Sequence, residues 1–150
     1  MSLIQHVRPI EILLVEDNEG DVYLTKKAFK EAKIVNTLHV AADGEQALTI
    51  LNKEPPYEES ATPDLILLDI NLPKMNGREV LDQIKQKEHL RRIPVIILSS
   101  SESEKDILDM YDLHANSYIS KPVDVEKFNE VATAIEDFWM GIVKLPTEVA

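Results

Sequence analysis

Residues 65–77 read LILLDINLPKMNG, and the prediction of the fold depends on this stretch. Its first four residues, 65–68, are aliphatic and end at Asp69. A continuous apolar run of this length is typical of a strand that is covered on both faces. Residues 71–77 have turn chemistry, with two asparagines, a proline and a glycine, and the periodicity after them predicts a helix over 78–87. The stretch therefore predicts a buried strand, a loop and an amphipathic helix.

Three further apolar runs also end in a polar or ionisable group, and a fifth strand is predicted over 37–42. The three runs are Ile12 to Val15 before Glu16 and Asp17, Val95 to Leu98 before Ser99, and Ser117 to Ile119 shortly before Lys121. Segments with helical periodicity separate the strands. We therefore expect an α/β fold with a doubly wound, five-stranded parallel sheet in the order 2-1-3-4-5, which is flavodoxin-like.

The predicted helices and the domain limits follow from the same pattern. Helices are expected over 21–33, 44–52, 78–87, 102–112 and 125–143. The first helix is expected to carry Leu24, Ala28, Phe29 and Ala32 at helical spacing. We expect one domain over 10–143, with an N-terminal extension at 1–9 and a C-terminal tail at 144–150.

The composition and net charge limit which classes of function the chain could have. The chain has 150 residues, of which 44% are hydrophobic and 29% charged, as expected for one globular domain. A formal net charge of -11 would repel a phosphate backbone, so nucleic acid is not an expected partner. Residues 1–9 have no basic stretch leading into an apolar segment, so a signal peptide is not expected, and no apolar run approaches the roughly 20 residues needed to cross a bilayer. We expect a cytoplasmic protein with no membrane association and no output domain, and the absence of cysteine excludes thiol chemistry.

The predicted strand order brings acidic side chains together. Strands 1 and 3 would be neighbours at the topological switch point, where Glu16, Asp17 and Asp69 end them. Two unit charges about 4 Å apart repel by roughly 4 kcal/mol at an effective dielectric near 20, so such a cluster needs a cation or a proton. Oxygen ligands with vacant positions favour Mg²⁺. With Lys121 and Ser99 at the same edge, Asp69 is the predicted nucleophile toward phosphorus.

These residues closely resemble the receiver domain of two-component response regulators, the CheY-like family, over about 10–139. The resemblance rests on Val15 to Asn18, Leu68-Asp69, Leu72-Pro73, Asn76-Gly77, Leu98-Ser99, Tyr118 and Lys121-Pro122. It implies that Asp69 is the phosphoacceptor and that Glu16 and Asp17 form the acidic pair for Mg²⁺. It also implies that Asn71 lends a backbone carbonyl to the metal.

The resemblance assigns three further roles. Lys121 matches the family's invariant lysine, while Ser99 and Tyr118 match its switch hydroxyl and switch aromatic. Two residues differ from the commonest pattern: serine at 99 lacks the methyl group of threonine, and glutamate at 16 is longer than aspartate. Neither difference removes a required chemical group.

The resemblance implies a single-domain response regulator that accepts a phosphoryl group from a histidine kinase and signals through a changed surface. The loop at 54–63, the start of the first helix near Asp21 and Phe138-Trp139 resemble the subgroup that serves bacterial phytochromes. A downstream protein or phosphotransfer protein is an expected partner. The apolar carboxyl end suggests a homodimer through helices 4 and 5.

Two other classes of function share parts of this pattern. Phosphatases of the haloacid dehalogenase class also use a strand-end aspartate, but they usually need a second aspartate where this chain has Asn71. Slow self-hydrolysis is therefore expected rather than enzymatic turnover. A flavodoxin-like nucleotide-binding module is disfavoured because the four glycines form no phosphate-binding loop.

Overall fold

The computed structural model describes residues 9–31, 35–99, 117–121 and 126–127. Within these ranges five strands and three helices of eight or more residues are present. In chain order they are β1 (Ile10–Val15), α1 (Glu19–Glu31), β2 (Asn36–Ala41), α2 (Gly44–Leu51), β3 (Leu65–Asp69), α3 (Gly77–Gln86), β4 (Val95–Ser99) and β5 (Ser117–Ser120). The predicted helix at 102–112 lies outside the described residues. Of the predicted helix at 125–143, only 126–127 are described, and they are helical.

All strand pairs are parallel, and the sheet order is β2-β1-β3-β4-β5. The predicted α/β fold and strand order are therefore confirmed. The central pairing aligns Val15 of β1 with Leu68 of β3, and Asp69 with Leu98 of β4. Since parallel strands all end at the same edge, this register brings the residues that follow β1 and β3 side by side.

Apolar side chains cover both faces of the sheet, which explains why β3 and β4 are aliphatic up to their last residues, Asp69 and Ser99. Every residue of these two strands is buried. On one face the sheet packs against α2 and α3, where Val80, Leu81 and Ile84 are fully buried. On the other face it packs against Phe29 of α1. The strands are therefore held rigidly up to their polar ends.

Side-chain caps fix where the helices begin. Asn18 Oδ1 accepts a hydrogen bond from the Asp21 N–H at 2.9 Å, so α1 starts at Glu19, two residues before the predicted start. Asp43 caps α2 and Asn76 caps α3 in the same way. Helix α1 begins directly after the edge of the sheet where β1 ends.

One of the apolar residues at helical spacing in α1 lies outside the core. Leu24 is 43% exposed, whereas Thr25 beside it is buried. The Thr25 hydroxyl donates to the backbone carbonyl of Asp21 at 2.8 Å, and this hydrogen bond satisfies the polar group in the core.

None of the described helices has the length and apolar character that spanning a membrane requires.

Candidate functional site

Backbone hydrogen bonds extend the ladders of the sheet by one residue and so fix the base of the site. The Glu16 N–H donates to Ala41 O at 3.0 Å. The Lys121 N–H donates to Ser99 O at 2.9 Å. These bonds hold Glu16 at the end of β1 and Lys121 at the end of β5, on the same edge as Asp69.

The ammonium group of Lys121 lies at the centre of the site, among three carboxylates. Its Nζ is 2.6 Å from Glu16 Oε1, 2.9 Å from Asp69 Oδ2 and 3.1 Å from Asp21 Oδ2. The side chains of Glu16 and Asp69 are almost completely buried, whereas that of Asp21 is 30% exposed. The lysine thus joins the ends of three strands and the first turn of α1.

The environment shifts the pKa of both partners in the closest ion pair. Burial raises the pKa of Glu16 to about 7, and the Asp69 carboxylate beside it acts in the same direction, while Lys121 opposes the shift. Burial on its own would lower the pKa of Lys121, but the carboxylates of Glu16 and Asp69 beside its Nζ outweigh it and hold that pKa above its ordinary value. The lysine is therefore charged at neutral pH, and a fraction of the Glu16 carboxyl groups is protonated.

Three carboxylates are arranged in a way that fits a divalent cation. One oxygen each from Glu16, Asp17 and Asp69 lie within 4.8 Å of one another. Opposite oxygens of an octahedral Mg²⁺ complex stand about 4.2 Å apart, so the cluster is of the required size. Glu16 Oε1 is buried and accepts no hydrogen bond of good geometry despite the nearby ammonium. A buried carboxylate oxygen without a well-formed hydrogen bond is a suitable ligand for a hard cation.

Asp69 is oriented through both of its carboxylate oxygens. Oδ2 accepts from Lys121, and Oδ1 accepts from the Asn71 N–H at 3.0 Å. The backbone of Gly77 packs directly against this residue, since a Cβ at Gly77 would lie 2.5 Å from Asp69 O and 2.7 Å from the Cα of Ile70. The start of α3 therefore positions the Asp69 backbone, and only glycine leaves the necessary space.

The structure brings most of the predicted site residues to one place. Glu16, Asp17, Asp69 and Lys121 meet at the edge of the sheet, and Ser99 is buried at the end of β4 beside β3. The Asn71 side chain is exposed, and its backbone N–H is the group that contacts Asp69. The roles predicted for these residues in catalysis and metal binding stay predictions.

Tyr118 is half-buried on β5 and packs against the core face that α2 and α3 cover.

Asp21 was not among the predicted site residues, although it forms an ion pair with Lys121. Its place in the first turn of the helix that follows β1 was the available signal, because that turn lies at the same edge of the sheet.

Comparison with known proteins gives concordant matches. Residues 12–133 match the family described as "Response regulator receiver domain". The chain is 43% identical over 138 residues to Response regulator Rcp1 of Synechocystis sp., covering 92% of this chain and 94% of that protein.

Two solved structures are also similar. One is the crystal structure of the phosphorylated cyanobacterial phytochrome response regulator RcpA, with a TM-score of 0.77, 42% identity, and coverage of 89% of this chain and 95% of that one. The other is the Mn²⁺-bound form of Rcp1, with a TM-score of 0.75, 42% identity, and coverage of 89% and 96%.

Proposed function

We propose a function on the basis that the chain belongs to the response-regulator receiver domain family. On this premise the protein is a phosphorylation switch, in which Asp69 accepts a phosphoryl group from a histidine kinase. The observation that carries the proposal is the ion pair of 2.9 Å between Lys121 Nζ and Asp69 Oδ2, next to the acidic cluster. A nucleophilic carboxylate, a fixed positive charge and a cation site are the groups that phosphoryl transfer requires.

In the proposed reaction a carboxylate oxygen of Asp69 attacks the phosphorus of a phosphohistidine. The new O–P bond forms as the N–P bond breaks, and the imidazole nitrogen takes back its electron pair. Lys121 stabilises the negative charge on the phosphoryl oxygens, and Ser99 donates a hydrogen bond to the same group. Residues Lys121 and Ser99 act by binding and orienting, while Asp69 alone forms a covalent bond.

We propose that Glu16, Asp17, Asp69 and the backbone carbonyl of Asn71 hold a divalent cation, with Mg²⁺ as the physiological ion. When bound, this ion would neutralise charge on the phosphoryl oxygens. The proposal is supported by the geometry of the carboxylate cluster. The Mn²⁺-bound form of Rcp1 is a similar structure with a divalent ion.

The proposed output is a change of surface. Movement of the Ser99 hydroxyl toward the phosphoryl group would let Tyr118 turn inward, and the surface near β5 would change. A downstream protein, a phosphotransfer protein or a second copy of the chain would read that change. The proposed homodimer contact through the predicted helices 102–112 and 125–143 falls outside the described residues, apart from 126–127.

The proposed partner is a phytochrome-type histidine kinase, because RcpA is a phytochrome response regulator and is similar over most of this chain. We propose a cytoplasmic location and a receiver unit over 10–143, within which the family match at 12–133 lies. The protein would not be an enzyme, apart from slow hydrolysis of its own acyl phosphate. Multiple turnovers of an added phosphate monoester would contradict this assignment.

The test is phosphorylation by acetyl phosphate in the presence of Mg²⁺, followed by intact mass and peptide mapping. One phosphoryl group is expected, located on Asp69. Asp69→Asn should abolish it, while the matched control Asp82→Asn, on the exposed surface of α3, should retain it. An adduct that survives Asp69→Asn would refute the proposal. Phosphotransfer from purified histidine kinases, measured at early times, would then identify the partner.

A further inference from the structure

Asp21 differs from the other two carboxylates that contact Lys121. Glu16 and Asp69 are buried and belong to the cluster that fits a cation, whereas Asp21 is partly exposed and lies outside that cluster. Its hydrogen bond with Lys121 Nζ, at 3.1 Å, is also the longest of the three contacts. Asp21 therefore contacts the lysine without a place in the cation site.

The ammonium group of Lys121 is already surrounded by carboxylate oxygens. Two of its three N–H donors form hydrogen bonds with Asp21 and Asp69, and Glu16 Oε1 lies 2.6 Å from the same Nζ. A phosphoryl oxygen on Asp69 would share this ammonium with three carboxylate oxygens, so its close approach to Lys121 weakens one of the existing contacts. Separation from Asp21 costs least, because water can solvate its exposed carboxylate, whereas a buried carboxylate would lose its partner without compensation.

We propose that Asp21 is a positioning residue that competes with the phosphoryl group for Lys121. It holds the ammonium in the unphosphorylated state and gives it up when Asp69 carries a phosphoryl group. Its carboxylate thereby shifts the equilibrium toward the unphosphorylated form. This inference rests on the proposed function, since it assigns Asp21 a role at the same site.

The test is the affinity for beryllofluoride, a phosphoryl mimic, at saturating Mg²⁺, measured by ¹⁹F NMR titration. Asp21→Asn should bind beryllofluoride about threefold to tenfold more tightly than the wild type, the range expected for one hydrogen bond of ordinary net strength. Asp21→Glu restores the carboxylate and should return the affinity toward that of the wild type. Thermal melts of each variant would establish that it is folded.

Glu19→Gln is the matched control. It removes the same charge from the same exposed first turn of α1, but no ion pair joins Glu19 to Lys121 in the described part of the chain. Glu19→Gln should therefore change the affinity by less than about twofold, as surface charges usually do. Equal affinities of Asp21→Asn and Glu19→Gln would overturn the role of Asp21. A wild-type protein that binds no beryllofluoride and accepts no phosphoryl group would instead overturn the proposed function itself.

Discussion

The affinity of the site for Mg²⁺ should depend on pH through Glu16. Metal ligands must be deprotonated, and burial raises the pKa of Glu16 to about 7. Below that pH the ion must displace a proton from the Glu16 carboxyl, and above it the carboxylate is already available. We therefore expect binding to weaken as the pH falls from 8 to 6, well above the range in which an ordinary glutamate titrates.

The size of the effect follows from the pKa of Glu16. Competition with a single proton weakens the apparent affinity by about 1.1-fold at pH 8 and about 11-fold at pH 6, which is an overall loss of about tenfold. At pH 6 about nine in ten Glu16 carboxyls carry the proton, so binding should release about 0.9 proton per ion.

Isothermal titration calorimetry in two buffers of different ionisation enthalpy measures both quantities. Glu16→Gln should bind Mg²⁺ more weakly but with less than about twofold variation between pH 6 and 8, because no proton at position 16 competes. The variant also corrects for any effect of pH that does not depend on position 16. A wild-type affinity that varies as little as that of Glu16→Gln would refute the link between burial of Glu16 and binding of the ion.

Three further outcomes are expected. Gly77→Ala should destabilise the protein by about 1–3 kcal/mol in urea unfolding and slow phosphorylation of Asp69, since its Cβ would meet the Asp69 carbonyl at 2.5 Å. Gly20→Ala should do neither, because its Cβ would meet only the exposed side chain of Asn18, at 3.2 Å. In metal-free protein the raised pKa of Glu16 implies a stabilising contribution that is complete below about 4.5 and lost as the pH rises through about 7. The free energy of unfolding of the wild type, minus that of Glu16→Gln, should therefore fall by up to roughly 3 kcal/mol between pH 4.5 and 8. Asn76→Ala should cost about 0.5–2 kcal/mol in the same unfolding assay, because Asn76 caps α3, without altering Mg²⁺ affinity.

The sequence predicted the sheet well because its central strands contain short aliphatic runs. Strands β3 and β4 are buried on both faces, so their first four residues form a continuous apolar run, which is too short for a buried helix. The start of α1 was less predictable, because Gly20 is unfavourable in a helix while the Asn18 cap offsets that cost. The exposure of Leu24 was not predictable, because the rotation of α1 about its axis depends on tertiary packing.

The site was predictable to the extent that parallel strand ends share one edge. This rule placed Glu16, Asp69 and Lys121 together although up to 105 residues separate them in the chain. It did not reveal that Glu16 is buried while the adjacent Asp17 is exposed. It also did not reveal the contact of Asp21 with Lys121, which depends on the reach of a long side chain across the pocket.

The lysine of the site follows β5, while the acids come from segments much earlier in the chain. A nascent polypeptide that has not yet added β5 therefore holds closely spaced anions without their natural counter-ion. Leaving a buried charge unpaired costs about 3–5 kcal/mol. Addition of β5 and assembly of the acidic cluster are thus coupled energetically, and a polypeptide that stops before Lys121 would be less stable.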